Sequence, residues 1–202
     1  GNAWVFGNAK VYDNAWIYDD VWVYDDAWVC GNAQVYGNVQ IYGNAWVCGN
    51  AQVYGDAKVY DDAWVRSNAE VHGNARVCDN ARVYGNAWIF DSAKVYGCAE
   101  ISGDARVYGN AWISGSVKVY GDAKVYGCAE ISGSSKVYGC AEISGDAKVY
   151  GNARVYGNAK VYGGVEVYNA KVYGDAKVYD YAKICNNVRI CDDAIISCND
   201  DY

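Results

Sequence analysis

The sequence predicts an all-β triangular solenoid, a parallel β-helix made of short strands joined by tight corners. Three observations predict it. A six-residue word, Gly-Asn/Asp-Ala-x-Val-Tyr, repeats in frame from Gly1 to Tyr168 and resumes from Gly174 to Ser197. Its third and fifth positions hold Ala and Val or Ile almost throughout, whereas its fourth accepts Trp, Lys, Arg, Gln or Glu. A short fixed period is typical of repeat architectures.

The strand follows from the way the word alternates. A packed interior would not accept both Trp and Lys at one position, so position 4 faces outward. Positions 3 and 5 then point inward and positions 4 and 6 outward, which is the period of a strand. Gly and Asn or Asp at positions 1 and 2 tolerate left-handed backbone and predict a corner. Each word is therefore a strand of about four residues and a corner of two. A helical array is disfavoured because Gly every six residues is costly in helix and Val, Ile and Tyr favour strand.

Three words with their three corners close one coil, which is then about 18 residues long. Trp28, Trp46 and Trp64 support this value because they are separated by just this spacing, although the GCAEIS words do not keep it. The prediction is one solenoid of about eleven coils over residues 1–197, followed by a short C-terminal tail at residues 198–202.

Two features of the sequence depart from the regular repeat. The word at 169–173 lacks its leading Gly, and we expect a tightened corner there and no active site. Asp200, Asp201 and the unusual Ile195 are candidates for a weak C-terminal cap.

The repeated V-Y-G-N-A-K wording resembles the hexapeptide-repeat left-handed β-helix superfamily. The GNAxVYG phrasing is most similar to the YdcK-like array proteins of bacteria and phages, and the resemblance covers essentially the whole chain. It implies left-handed coiling and a bacterial or phage origin. This repeat occurs in enzymes and non-enzymes alike, so it implies little about function.

Composition and charge argue against several classes of partner and indicate the state of the thiols. The net charge of −7 argues against nucleic acid, which requires a basic face. No apolar run approaches the roughly 20 residues of a membrane span. The nine Cys are an odd number without a spaced framework, which favours free thiols over disulfides. The given sequence begins inside the repeat array, so it gives no information on export. Its localisation is left open between the cytoplasm and a cell or virion surface.

An enzyme is the less favoured hypothesis. The superfamily resemblance implies that acyltransferases use a His as general base, beside loops inserted between coils. Here the only His is His72, at an outward position usually held by Tyr, and no loop interrupts residues 1–168. We expect His72 to fill a Tyr column. If there is catalysis, Glu70 is the carboxylate that would orient it, and no cofactor is expected.

Metal sites are not predicted either. The acidic doublets at Asp19–Asp20, Asp25–Asp26 and Asp61–Asp62 fall at corners, where turn chemistry explains them. Calcium requires six or more converging oxygen atoms. The Cys show no zinc-type spacing.

The aromatic surface carries the remaining information. All eight Trp lie between Trp4 and Trp112. Residues 1–101 hold 6 basic and 12 acidic residues, and residues 102–202 hold the other 11 and 12. Exposed aromatic patches usually mark interfaces. The candidate interface residues are Trp4, Trp22, Trp28, Trp46, Trp64, Tyr24, Tyr42 and Tyr60.

Three interpretations of these rings stay open: a contact with a second copy or another protein, a platform for glycans, or a ladder that stabilises only itself. The leading hypothesis is a non-enzymatic structural rod that forms homo-oligomers or filaments through uncapped ends or its Trp and Tyr faces. The alternatives are a glycan- or protein-binding rod and an acyltransferase that uses His72.

Overall fold

A computed structural model describes residues 1–197, and this part of the chain contains 33 short strands and no helix. It has no helix that could cross a membrane. The strands are, in chain order, β1 (Trp4–Val5), β2 (Lys10–Val11), β3 (Trp16–Ile17), β4 (Trp22–Val23), β5 (Trp28–Val29), β6 (Gln34–Gly37), β7 (Gln40–Ile41), β8 (Trp46–Val47), β9 (Gln52–Gly55), β10 (Lys58–Val59), β11 (Trp64–Val65), β12 (Glu70–Val71), β13 (Arg76–Val77), β14 (Arg82–Val83), β15 (Trp88–Ile89), β16 (Lys94–Val95), β17 (Glu100–Ile101), β18 (Arg106–Val107), β19 (Trp112–Ile113), β20 (Lys118–Val119), β21 (Lys124–Val125), β22 (Glu130–Ile131), β23 (Lys136–Val137), β24 (Glu142–Ile143), β25 (Lys148–Tyr150), β26 (Arg154–Val155), β27 (Lys160–Val161), β28 (Glu166–Tyr168), β29 (Lys171–Val172), β30 (Lys177–Val178), β31 (Lys183–Cys185), β32 (Arg189–Ile190) and β33 (Ile195–Ile196).

Every third strand joins the same parallel sheet, so the solenoid has three flat faces of eleven strands each. Face 1 contains β1, β4 and every third strand to β31; face 2 runs from β2 to β32, and face 3 from β3 to β33. Outside one irregular coil, each strand residue pairs with its equivalent three words later, as Trp28 does with Trp46. The predicted left-handed triangular solenoid with three words per coil is confirmed. Eleven coils at about 4.8 Å each give a rod of about 50 Å.

Backbone hydrogen bonds join each coil to the next in one repeated pattern. The N–H groups of positions 2, 4 and 6 donate to the carbonyls of positions 1, 3 and 5 in the following coil. Trp28 N–H, for example, donates to the Ala45 carbonyl at 2.8 Å, and Cys30 N–H donates to the Val47 carbonyl at 2.9 Å. The interior backbone is satisfied in this way although each strand is very short.

The core is a narrow prism of Ala, Val and Ile. From Val21 to Val178 the residues at positions 3 and 5 are almost completely shielded from solvent. Ser135 is the buried polar residue in this column, and its hydroxyl donates to the Ser132 carbonyl at 2.9 Å. The predicted inward positions are confirmed.

The corners explain why most strands span only two residues and not the expected four. Position 1 adopts positive φ, about 70° at most Gly and 64° at Asp19. This left-handed residue turns the chain away from the ladder immediately after position 6, so regular strand geometry covers mainly positions 4 and 5.

Amide side chains reinforce the corner between faces 2 and 3. Each side-chain amide in this column donates to the equivalent side chain of the next coil, at 2.9 to 3.2 Å. Asn ladders of this kind stabilise in-register parallel stacking. The column consists of Asn14, Asn32, Asn50, Asn68, Asn86 and Asp104.

The irregular word at 169–173 is accommodated by one shorter coil. Arg154 pairs with Lys171 and not with Val172, and the coils beyond keep their place in all three sheets. Asn169 takes the positive φ that Gly has elsewhere, at 49°. The predicted tightened corner is confirmed.

Ile195 is the one candidate for a C-terminal cap that lies within the described residues. Ile195 lies on the outer side of β33 and is 58% exposed, so its side chain does not cover the end of the core. Asp200 and Asp201, with the rest of the predicted tail at 198–202, lie outside the described residues.

Candidate functional site

The predicted Trp stripe on face 2 is a closed stack. The rings of Trp28 and Trp46 are 4.7 Å apart and nearly parallel, and those of Trp46 and Trp64 are 5.3 Å apart. Lys10 Nζ lies 4.5 Å from the Trp28 ring centre, and the Arg82 guanidinium lies 5.4 Å from that of Trp64. These contacts occupy the ring faces, so the stack presents mainly ring edges to solvent.

The predicted Tyr ladder on face 1 has the same form. Tyr24, Tyr42 and Tyr60 stack with ring centres 4.9 Å apart and planes within 6° of parallel. Burial raises the pKa of Tyr42, with the neighbouring Tyr24 as a smaller cause. Stacked aromatic pairs stabilise a fold beyond the area they bury. This ladder therefore has a structural role whether or not a partner binds.

Three Trp side chains of the first two coils are arranged differently, whereas Phe6 stacks flat on Tyr24 with ring centres 5.1 Å apart and so extends the Tyr ladder. Trp4 and Trp22 pack at a tilt of 37° with centres 6.3 Å apart, and Phe6 meets Trp22 edge-on at 6.2 Å. On face 3, Trp16 has Gln34 as its neighbour in the next coil. Trp4 is 57% and Trp16 is 67% exposed. We refer to Trp4, Phe6, Trp16 and Trp22 as the aromatic collar.

Only some of the predicted interface residues belong to the collar. It includes Trp4 and Trp22 but not Trp28, Trp46 and Trp64, whose ring faces are covered. Sequence reasoning missed Trp16 and Phe6. The regular wrap of three words per coil already contained the signal for Trp16, because Gln34 stands where a stacking partner would be.

His72 lies within an aromatic column on face 3. Its ring stacks between Tyr54 at 4.6 Å and Phe90 at 5.1 Å, as expected for a His in a Tyr column. Glu70 is one outward position earlier on the same face, and it accepts a 3.5 Å hydrogen bond from the Tyr54 hydroxyl. Desolvation lowers the pKa of His72, against smaller opposing effects of Glu70 and Asp91.

The pair formed by His72 and Glu70 meets one requirement of a general base and lacks another. The lowered pKa keeps His72 neutral near pH 7, as a general base must be. Its ring faces are nevertheless covered, and the coils on either side carry no inserted loop that would wall a substrate pocket. The catalytic role of His72 and Glu70 stays a prediction without further support from the geometry.

One trio of possible metal ligands occurs at the corner after face 1. Within residues 1–197, ligand atoms of Asp61, Cys78 and Asp79 lie within 4.8 Å of one another. Asp79 Oδ2 already accepts a hydrogen bond from Gly97 N–H at 2.9 Å. Burial raises the pKa of Cys78, which disfavours the thiolate that a metal requires. Three ligands with these commitments do not make a structural zinc site.

The thiols lie in outward columns and at corners of the solenoid. Cys30 and Cys48 occupy the same outward column one coil apart, and both are free. Burial, with Cys30 nearby, raises the pKa of Cys48 to about 11. Cys98, Cys128 and Cys140 are exposed and free, at three different corners.

Comparison with known proteins identifies the repeat. The YdcK β-solenoid repeat model matches residues 33–49, 51–67, 75–91, 99–115 and 147–163. The resemblance expected from the GNAxVYG wording is therefore confirmed. No functionally curated protein is significantly similar to the chain.

Several solved structures are similar to the rod. UDP-N-acetylglucosamine acyltransferase from Campylobacter jejuni is 20% identical with a TM-score of 0.49, over 88% of this chain and 68% of that one. The enzyme from Francisella novicida is 14% identical with a TM-score of 0.42, over 87% and 62%. The O-acyltransferase from Moraxella catarrhalis is 15% identical with a TM-score of 0.41, over 87% and 71%. Similarities this weak carry no conclusion about activity.

Proposed function

We propose that this chain, a hexapeptide-repeat left-handed β-helix with YdcK-type repeats, is a non-enzymatic scaffold rod. In this proposal it associates with a second copy of itself through the aromatic collar. The observation that carries this proposal is that the exposed rings of Trp4, Trp16 and Trp22 have no flat stacking partner among the described residues. In the Trp stack on face 2, by contrast, neighbouring groups cover the ring faces.

Physical chemistry supports a contact at the collar. Large exposed aromatic side chains gain free energy when they are removed from water, and Trp is enriched at the centre of interfaces. A patch that meets its own copy forms a closed two-fold dimer. Acidic corner residues surround the collar, among them Asp13, Asp19 and Asp20, so two approaching copies repel each other at low salt.

Sedimentation velocity over a concentration series tests this proposal. We expect the wild-type chain to associate, and added salt to strengthen association by screening the acidic corners. Replacing Trp4, Trp16 and Trp22 together by Ser should weaken association by about tenfold or more, since three buried Trp contacts are lost.

Trp88→Ser with Trp112→Ser is the matched control, because both residues are exposed single Trp residues on the middle coils. This control should associate like the wild type. A wild-type chain that is monomeric at every concentration and salt level would refute the proposal. Equal weakening in the control variant would also refute the role of the collar.

A further inference from the structure

A column of five cations runs along face 2 in the second half of the rod. Consecutive members pair in register from one coil to the next, at about 4.8 Å per coil. The shortened coil brings Lys171 beneath Arg154 and so keeps the column unbroken. We call it the basic column, and it consists of Lys118, Lys136, Arg154, Lys171 and Arg189.

Only one of the five column residues has an ion pair in the described part of the chain. Lys118 pairs with Glu100 at 3.1 Å, and no other column residue has an ion pair within residues 1–197. The residues two positions before the cations are all Ser or Asn, and the acidic corner residues lie on the far edge of the face. Like charges directly opposite one another in a sheet are destabilising.

The other two faces interrupt their cations with Glu over the same coils. Face 3 places Glu142 between Lys124 and Lys160, with N–O distances of 3.3 and 3.7 Å. On face 1 Glu130, Lys148, Glu166 and Lys183 alternate in sign. The fold thus accepts an acidic residue at this outward position, and face 2 alone among the three has none between its cations over these coils.

The surroundings of the column favour an anion. A cleft of about 460 Å³ opens beside the shortened coil and is lined by Arg154, Lys171 and Arg189 together with Asn side chains. Asn152 and Asn169 are among these, and their amides are hydrogen-bond donors. Sequence reasoning expected only a tightened corner here, whereas the structure adds a polar cleft with three cations.

A Tyr ladder runs parallel to the basic column, two residues further along each strand. Its members are stacked with ring centres 4.8 to 4.9 Å apart and planes within 3° of parallel. Their faces therefore cover one another, and the ladder offers ring edges and hydroxyl groups. The ladder consists of Tyr120, Tyr138, Tyr156 and Tyr173.

We propose that face 2 of the second half binds a linear anionic polysaccharide that lies extended along the rod. Carboxylate or sulfate groups on successive sugars form ion pairs with the basic column. The Tyr hydroxyls and Asn amides form hydrogen bonds with sugar hydroxyls. A sugar unit in an extended chain is close in length to one coil. In a nucleic acid duplex each strand advances only about 3.4 Å along the helix axis per phosphate, and the bases of a single strand need free aromatic faces to stack on.

This surface lies in the second half of the rod and is separate from the collar on the first two coils. The two proposals can therefore fail independently. Salt separates them as well, since it should strengthen contact at the collar and weaken binding to a polyanion.

Calorimetric titration with a size-fractionated oligogalacturonate, which carries one carboxylate on each sugar, tests the site. We expect binding that weakens with salt, and none to the same oligomer after methyl esterification. Replacing Lys136, Arg154 and Lys171 together by Gln should weaken binding by about tenfold, since three charge contacts are lost.

The matched control replaces Lys124, Lys148 and Lys160 by Gln, which changes the net charge equally on the other two faces. It should bind like the wild type, and circular dichroism should show both variants folded. Equal weakening of binding in both variants would mean that net charge alone controls binding, and it would overturn the proposal. So would failure of the oligogalacturonate to bind, equal binding of the esterified oligomer, or tighter binding of a single-stranded oligonucleotide of similar length.

Discussion

Replacing Ile113 by Ala is expected to lower the free energy of unfolding by about 2–5 kcal/mol, whereas Trp112→Ala should cost about 1 kcal/mol or less. The two residues are neighbours on β19, but Ile113 is fully buried in the prism and Trp112 is 44% exposed. The Trp112→Ala substitution removes a tilted contact with Tyr96 at 5.5 Å and a cation–π contact with Lys94 at 5.4 Å, both on the outer surface. Ile113→Ala leaves a cavity that adjacent coils cannot fill.

Urea unfolding followed by far-UV circular dichroism and by Trp fluorescence checks this pair. Agreement between the two probes tests whether the array unfolds in one step, which long repeat arrays need not do. If Trp112→Ala cost more than Ile113→Ala, the assignment of positions 4 and 5 to the outer and inner sides would be wrong.

Gly133→Ala is expected to destabilise the rod by at least about 1–2 kcal/mol, because Gly133 has a φ of 71°. A Cβ atom at this residue would lie 2.7 Å from the carbonyl oxygen of Gly151 in the next coil. The substitution therefore combines left-handed strain with a clash against backbone that cannot move away without disturbing the neighbouring coil.

The adjacent Ser134→Ala is the control, since Ser134 is an exposed residue of the same corner and should change stability by less than about 0.5 kcal/mol. Thermal melting of both variants measures the difference. Equal melting temperatures for Gly133→Ala and Ser134→Ala would contradict the corner geometry.

Much of the fold could be predicted because each position of the word has one dominant physical role. The alternation of Ala and Val with variable residues identified the inside, and Gly with Asn or Asp identified the corners. The strand length was overestimated because position 6 still points outward and donates to the ladder, although the positive φ at the next residue ends the regular strand.

The surface was harder to predict because it depends on register between coils. The wrap placed Trp28, Trp46 and Trp64 in one column, but it could not show that flat stacking covers their faces while Trp4 and Trp22 stay tilted. The basic column was missed for a similar reason. Arg154 and Lys171 are one residue closer in sequence than a regular coil requires, so a strict wrap separates residues that the shortened coil brings together.

The most direct test of the proposed function is electron cryomicroscopy of the associated species of the wild-type chain. The account predicts pairs of rods, each about 50 Å long, joined through their first coils with Trp4, Trp16 and Trp22 at the contact. Rods that stay single at the highest concentration, or that meet through other coils with the aromatic collar left in solvent, would contradict it.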